Sequence, residues 1–216
     1  MTTAFSEKLR PAKTASINRQ AIPQQFVREV IDGIAFYYPG FRQAIKKHRT
    51  IEEIMPDSFL QSLLKNMIGD FLKARLNRKI WMVLAGETGS HININNNLGL
   101  DIVVFEKAAA LNQRNLMKYA NIPPFLVIEV DVNVELPDPN SDLFHEYVVP
   151  KINRLFAFGT QKVVWVFTKS KKVLSATPDQ PWQFFNLHQE VLIMEKIKMN
   201  LGKMIEDEGI NPDISF

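Results

Sequence analysis

The stretch NIPPFLVIEVDV, residues 121–132, places two carboxylates beside an otherwise apolar run. Residues 125–130 have the length and composition of a buried strand. Glu129 lies inside this strand and Asp131 follows it closely. Burying an unpaired ionised carboxylate is very unfavourable. Glu129 therefore needs a cation, a hydrogen-bond donor or a metal ion, or a position at the open end of the strand.

The composition is that of a soluble globular protein. The chain has 216 residues, of which 46% are hydrophobic and 23% charged, with a net charge of +3. It has no cysteine, which excludes disulfides and thiolate zinc sites. We find no signal peptide and no apolar run long enough to cross a membrane, so we expect a cytoplasmic protein without a membrane partner. Residues 1–22 are predicted to be a flexible tail, and residues 23–216 a single domain.

Local patterns predict helices and strands in the first two thirds of the chain. Asp32-Gly33 between two β-rich runs indicates a hairpin over residues 27–39. An apolar stripe at helical spacing, opened by Ser58, predicts a helix to about Leu76. Residues 106–120 are ambiguous between helix and loop. Further strands are predicted over residues 79–85, 90–94, 99–105 and 124–131.

The last third alternates again between helices and strands. Asp142 can begin a helix that ends at Gly159 and is kinked or restarted at Pro150. A final amphipathic helix is predicted over about 191–207. It would pack either on the core of its own chain or on a second subunit, and in the second case the protein would be a homodimer. Strands are predicted over residues 162–168, 171–176 and 181–186. The order predicts an α/β fold, a mixed sheet flanked by helices, with an N-terminal β-hairpin and a C-terminal helix.

Three polar residues could meet in such a fold. Asp101 begins the apolar run LGLDIVVFE, Glu129 lies in the next strong strand, and Lys151 lies on the helix that follows. On neighbouring strands, Asp101 and Glu129 can point to the same face. Two carboxylates and a backbone carbonyl, here that of Val130, suit a hard cation such as Mg²⁺. Lys151 could then orient water or stabilise charge on a phosphate.

These stretches resemble the PD-(D/E)XK nuclease superfamily, and within it the Uma-type endonuclease family of bacteria. The resemblance covers roughly residues 27–187. It rests on four segments: REVIDGIAFYYP, like the family's opening hairpin; LGLDIVVFE, where the family has its Pro-Asp strand; PPFLVIEV, like the strand with the Glu-Val signature; and SDLFHEYVVPKINRLFAFGTQKVVWVF, like the following helix, its lysine, the Gly turn and the Val-Trp strand.

The resemblance implies a restriction-endonuclease-like fold and Mg²⁺-dependent cleavage of phosphodiester bonds in DNA, with Mn²⁺ as a substitute ion. Carried over by position, Asp101 and Glu129 would bind the metal together with the Val130 carbonyl, and Lys151 would be the catalytic lysine. All three side chains would then be catalytic residues.

Several features leave a second hypothesis open. Leu100 replaces the family's proline before the aspartate, Asp131 stands two residues after Glu129, and an acidic loop follows. Asp131 could be a third metal ligand or a solvated strand end. The alternative to an endonuclease is an inactive nuclease-fold protein that binds nucleic acid or a protein partner.

Each site residue also has a purely structural interpretation. Asp101 and Glu129 could be satisfied by backbone donors or arginine, and Lys151 could be a solvated helix lysine. Glu29, in the first hairpin strand, is interpreted as a cross-strand partner, and Glu87 as a turn residue.

Overall fold

The computed structural model describes residues 22–211, and strands account for much of this range. They agree with most of the predicted strands in position. In chain order they are β1 (Val27–Ile31), β2 (Ile34–Tyr37), β3 (Trp81–Asn93), β4 (Asn96–Glu106), β5 (Leu126–Val130), β6 (Lys162–Phe167), β7 (Lys172–Thr177), β8 (Gln180–Asn186), β9 (Val191–Met194) and β10 (Ile197–Met199).

Five α-helices connect these strands in the described part of the chain. Two of them, the second and the fourth, are long enough to cover the sheet. The helices are α1 (Phe41–Ile45), α2 (Phe59–Arg75), α3 (Lys107–Leu111), α4 (Val149–Phe158) and α5 (Leu201–Asp207).

The central sheet is mixed. Its order is β2-β1-β4-β5-β6-β7-β8, and β3 pairs with β4 outside this path. The β5–β6 pair is parallel and is connected through α4, while the other pairs are antiparallel. Strands β9 and β10 form a separate antiparallel hairpin. The predicted α/β class is confirmed.

Strand β4 shares one of its edges between two partners. Near its start Asn97 pairs with β1, and near its end Ile102 to Val104 pair with β5. Because β3 occupies the other edge of β4 throughout, β1 and β5 follow one another along the same edge. Residues 99–101 of β4 therefore lie where the sheet passes from β1 to β5. This junction is where the candidate site forms.

Helices α2 and α4 cover opposite faces of the sheet. On one face, Leu64 and Ile68 of α2 pack with Ile128 and other apolar residues of the strands. On the other face, Ile152 of α4 packs with Trp165. Burying these apolar side chains is the main source of stability, at about 25 cal/mol per Å².

Several local predictions are confirmed. Asp32 and Gly33 have positive φ angles of 53° and 77°, as a tight hairpin turn between β1 and β2 requires. Ser58 caps α2 in a capping box, since its side chain accepts from the Gln61 N–H and Gln61 in turn accepts from the Ser58 N–H. Gly159, with φ 120°, ends α4.

The predicted helix over residues 191–207 is wrong in its first half. This segment folds as the β9–β10 hairpin, and only α5 is helical. Val191 and Ile193 are buried while Leu192 is exposed, so the apolar residues follow the two-residue period of a strand. Glu195 reverses the chain with φ 51°. Leu201 and Ile205 of α5 pack on the core of the same chain.

Two further differences concern β3 and the segment after β4. The predicted strands 79–85 and 90–94 are one strand, β3, with a bulge between Ala85 and Thr88. Part of the ambiguous segment 106–120 is the short helix α3. The predicted flexible tail, residues 1–22, lies outside the described residues except for Ile22. Among residues 22–211, no helix has the length and apolar character to cross a membrane.

Candidate active site

Lys151 is delivered to the sheet junction by α4. A π-helical turn, Phe144–Val148, precedes α4, and Asp142 accepts hydrogen bonds from the first backbone N–H groups of this turn. Pro150 is the second residue of α4 and directly follows the π-helical turn, so its missing N–H falls where the helical hydrogen-bond pattern changes from π to α. Pro150 therefore restarts the helix without displacing Lys151, whose side chain is 1% exposed.

The Lys151 ammonium joins two carboxylates and a carbonyl. Its Nζ lies 3.2 Å from Glu29 Oε2 and 3.3 Å from Glu129 Oε1. It also donates to the Gly99 carbonyl at 2.9 Å and to the Tyr147 hydroxyl at 3.2 Å. The buried Lys151 ammonium thus contacts groups on β1, β4 and β5 at the point where these strands meet.

Glu29 is the better satisfied of the two carboxylates. Besides the Lys151 ammonium, it accepts hydrogen bonds from the Tyr147 hydroxyl and from the Gly99 backbone N–H. At the sheet junction, Glu29 therefore accepts the hydrogen bond of the Gly99 N–H, and Lys151 donates one to the Gly99 carbonyl. The prediction that Glu29 is a plain cross-strand partner misses this role.

Glu129 is less well satisfied. Its Oε1 is buried and lies near the Lys151 ammonium, but accepts no hydrogen bond from the described residues. Burial raises the pKa of Glu129 from 4.5 to about 8, against the lowering effect of Lys151. Burial alone would lower the pKa of Lys151, but Glu129 and Glu29 outweigh it and raise that pKa well above its usual range. Two carboxylates share one ammonium, and burial favours the protonated form of Glu129 through its raised pKa.

Asp101 lies on β4 across from Glu129. The antiparallel pairing of β4 with β5 ends at Ile102 and Ile128, and Asp101 and Glu129 are the next residues along the two strands. Asp101 Oδ1 is 2.6 Å from the Lys65 ammonium of α2, which also contacts Asp57 at 2.6 Å. Its Oδ2 accepts the Val130 backbone N–H at 2.8 Å. Asp101 therefore has both a cation and a backbone donor.

The side-chain alternation of β4 changes at Asp101. Leu100 belongs to the apolar cluster beneath α4, whereas Ile102, two residues later, belongs to the cluster beneath α2. The bulge of β3 lies directly opposite this point. A bulge bends and twists the strand pair locally. Asp101 can thus reach Lys65 on α2 while its neighbour across the pair, Glu129, reaches Lys151 on α4.

Asp131 is neither a solvated carboxylate nor part of this cluster. Its φ of 63° turns the chain out of β5. Its carboxylate accepts from the Thr168 backbone N–H at 2.7 Å and from the Thr168 hydroxyl, and its carbonyl accepts from the Trp165 indole. Asp131 therefore closes the ends of the parallel strands β5 and β6.

We expect Asp131→Ala to destabilise the protein by about 2 kcal/mol, because the buried Thr168 donors lose their acceptor and alanine disfavours a positive φ. Urea unfolding at neutral pH measures the change. Asp131→Asn, which tolerates this backbone and retains one acceptor oxygen, is the matched control and should lose less. Equal stability of the alanine variant and the wild type would contradict the structural role.

Two acidic residues outside the junction, Glu135 and Glu87, are also paired. Glu135 of the loop after β5 is 2.8 Å from the Arg42 guanidinium. Glu87, predicted to be a turn residue, lies in the bulge of β3 and pairs with Arg28. The loop is therefore less repulsive to a phosphate backbone than its sequence suggests.

The structure brings Glu129 and Lys151 into direct contact and places Asp101 on the adjacent strand. Sequence reasoning missed Lys65 and Tyr147. Both carry a signal in retrospect, since Lys65 interrupts the buried side of α2 and Tyr147 precedes Lys151 by one helical turn. Neither signal identifies the junction carboxylate that the residue contacts, because that carboxylate lies on a strand distant in the sequence.

Comparison with known proteins supports the fold. No family model and no curated protein matches the sequence. A solved structure from Anabaena variabilis, described as a "putative nuclease belonging to DUF820", matches with a TM-score of 0.56 at 19% identity, over 82% of this chain and 89% of that one. The chain has a nuclease-like fold. At 19% identity the match shows similarity of fold only. The chemistry must therefore be argued from the residues of the site.

Proposed function

We propose that the protein is a metal-dependent nuclease that hydrolyses phosphodiester bonds in DNA. The observation that carries the proposal is the placement of Asp101 on β4 and Glu129 on β5, each one residue past the last paired position of these strands, with the Lys151 ammonium 3.3 Å from Glu129. In a nuclease-like fold, carboxylates beside a lysine at a sheet junction suit phosphate chemistry.

The donors in this proposal are oxygens, which suit Mg²⁺, with Mn²⁺ as a substitute. Asp101, Glu129 and the Val130 carbonyl would hold the ion once the Asp101 carboxylate leaves Lys65. The buried Glu129 Oε1, which accepts no hydrogen bond, is available for such an ion. When bound, the ion supplies positive charge that polarises the phosphate and acidifies water.

The protein's own groups have separable roles in this proposal. Lys151 remains charged and stabilises the negative charge that develops on the phosphoryl oxygens. Glu29 and Tyr147 hold the Lys151 ammonium in position. Lys65 balances Asp101 in the free protein, so binding of a cation would require this ammonium to move.

The test is cleavage of supercoiled and linear DNA with Mg²⁺ or Mn²⁺. We expect wild-type protein to cut, and both EDTA and Glu129→Gln to reduce the rate at least about a hundredfold, since EDTA removes the ion and the substitution removes a carboxylate ligand. Isothermal titration of Mn²⁺ into both proteins measures metal binding directly. The control is Glu190→Gln, because Glu190 forms only an exposed ion pair with Lys198.

A wild type that neither cuts nor binds metal more tightly than Glu129→Gln would refute the proposal. The second candidate function would then be the one to test, a catalytically inactive nuclease-fold protein that binds nucleic acid or a protein. One observation favours this alternative: Asp101 and Glu129 each already have a lysine partner. In addition, residues 22–211 contain no group of three or more acidic, histidine or cysteine side chains arranged to hold a metal.

A further inference from the structure

Tyr119 lies in the loop over residues 112–121, beside the outer edge of β3. Tyr119 is 59% exposed. The neighbouring Ala120 fixes the loop to β3, since its N–H donates to the Gly89 carbonyl at 2.9 Å and its carbonyl accepts from the His91 N–H at 2.8 Å.

The ring of Tyr119 rests on the bare backbone of Gly89. A Cβ atom at Gly89 would fall 2.6–2.8 Å from three ring carbons of Tyr119, which is closer than side-chain contacts allow. Only glycine at this position leaves room for the ring. Tyr119 is therefore held from below by Gly89 and from behind by Ala120, with much of its surface open.

The surroundings of Tyr119 are basic. Arg114, Lys118 and His91 line an open cavity of about 890 Å³ together with Tyr119, and none of its lining residues is acidic. Arg114 and Lys118 are exposed and form no salt bridge with another described residue. Their charge is thus available to an anionic partner.

A second cavity leads from Tyr119 to the candidate active site. It has a volume of about 480 Å³, and Tyr119 and Tyr38 line it together with Arg28, Glu29 and Gly99. Glu29 and Gly99 are the residues that bind the Lys151 ammonium. A ligand that covers Tyr119 can therefore extend to the wall of the lysine site.

We propose that Tyr119, Arg114 and Lys118 form a binding platform for single-stranded nucleic acid. A base stacks on the open face of Tyr119, and Arg114 and Lys118 contact the adjacent phosphates. Aromatic rings beside cations are the usual means of binding single strands, whose base faces are open, whereas a duplex hides these faces in its own stack. The inference rests on the proposed function, because it names the form of nucleic acid that reaches the Lys151 site.

The experiment is fluorescence anisotropy of a labelled oligothymidylate of about 15 nucleotides, titrated with the protein in EDTA so that no cleavage occurs. Loss of one stacked base predicts that Tyr119→Ala weakens binding by about 5- to 150-fold. Tyr119→Phe, which keeps the ring, should bind like the wild type. Replacing Arg114 and Lys118 by glutamine should lower the slope of log affinity against log salt by about 1.4.

Phe184 provides a matched control. It is 56% exposed, similar to Tyr119, but lies on β8, at the edge of the sheet away from β3. Phe184→Ala should leave oligonucleotide binding unchanged. If Tyr119→Ala lowers the unfolding temperature, Tyr119→Leu, which keeps apolar volume without the ring, gives the same comparison and should also bind weakly.

Several outcomes would overturn the platform. They are wild-type binding no tighter than that of the ring-less variants, equal losses in Tyr119→Phe and Tyr119→Ala, and duplex binding that depends on Tyr119 as strongly as single-strand binding does. The platform and the nuclease fail separately. Tyr119-dependent binding in EDTA without metal-dependent cleavage supports the platform and refutes the nuclease, and cleavage without Tyr119-dependent binding does the reverse.

Discussion

Lys151→Met is expected to destabilise the protein by about 3–5 kcal/mol, because it leaves Glu29 and Glu129 buried without their shared cation. The Gly99 carbonyl also loses its donor at 2.9 Å. Urea unfolding at neutral pH, followed by far-ultraviolet circular dichroism, measures the change. The midpoint should shift with little change in slope, since the folded and unfolded surfaces stay the same.

Two further variants test whether the loss comes from the buried charge of Lys151. Lys198→Met removes an exposed ion pair with Glu190 and should cost at most about 1 kcal/mol. Adding Glu29→Gln and Glu129→Gln to Lys151→Met removes both buried carboxyl groups that the ammonium had balanced and should restore much of the lost stability. A loss under about 1 kcal/mol for Lys151→Met alone would show that the ammonium does not neutralise the junction.

The second large effect is the dependence of stability on pH through Glu129. Its pKa of about 8 in the folded protein lies above the ordinary value of 4.5. Between these two pH values the folded state keeps a proton that the unfolded chain releases. The free energy of unfolding therefore falls as pH rises from about 4.5 to about 8, and this contribution is constant outside that window.

Glu129→Gln removes this contribution, since glutamine does not titrate. Relative to the wild type, the variant should become progressively more stable from about pH 4.5 to about pH 8, by up to several kcal/mol in total. Thermal unfolding of both proteins across this range measures the difference. Glu52→Gln, at an exposed position, is the control. Parallel curves for Glu129→Gln and the wild type would contradict the buried, protonated state.

Most of the cluster also has a structural task. β1 and β5 follow one another along the same edge of β4. At the junction between them, side chains form hydrogen bonds with the backbone groups. Glu29 accepts from the Gly99 N–H, Lys151 donates to the Gly99 carbonyl, and Asp101 accepts from the Val130 N–H. Glu129 Oε1, in contrast, accepts no hydrogen bond from a described group. Loss of activity in Glu129→Gln is therefore the clearest sign of chemistry, because that variant leaves the junction intact.

The sequence by itself determined the elements whose causes are local. Asp32-Gly33 predicts the β1–β2 hairpin because both residues accept positive φ. Ser58 predicts the start of α2, and in the structure it caps the helix together with Gln61. The apolar run before Glu129 predicts β5, and it also shows that Glu129 needs a partner. These signals lie within a few residues of the structure they specify.

Only the tertiary structure decided what surrounds those elements. The turn at Glu195 divides an apolar segment that looks helical into β9 and β10, which bury alternate side chains against the sheet. The φ of Asp131 and its bonds to Thr168 depend on β6, which is more than thirty residues away in the chain. Lys65 and Tyr147 meet their carboxylates only because α2 and α4 pack on opposite faces of the same sheet junction. Partners of this kind are set by long-range packing, to which local residue patterns contribute little.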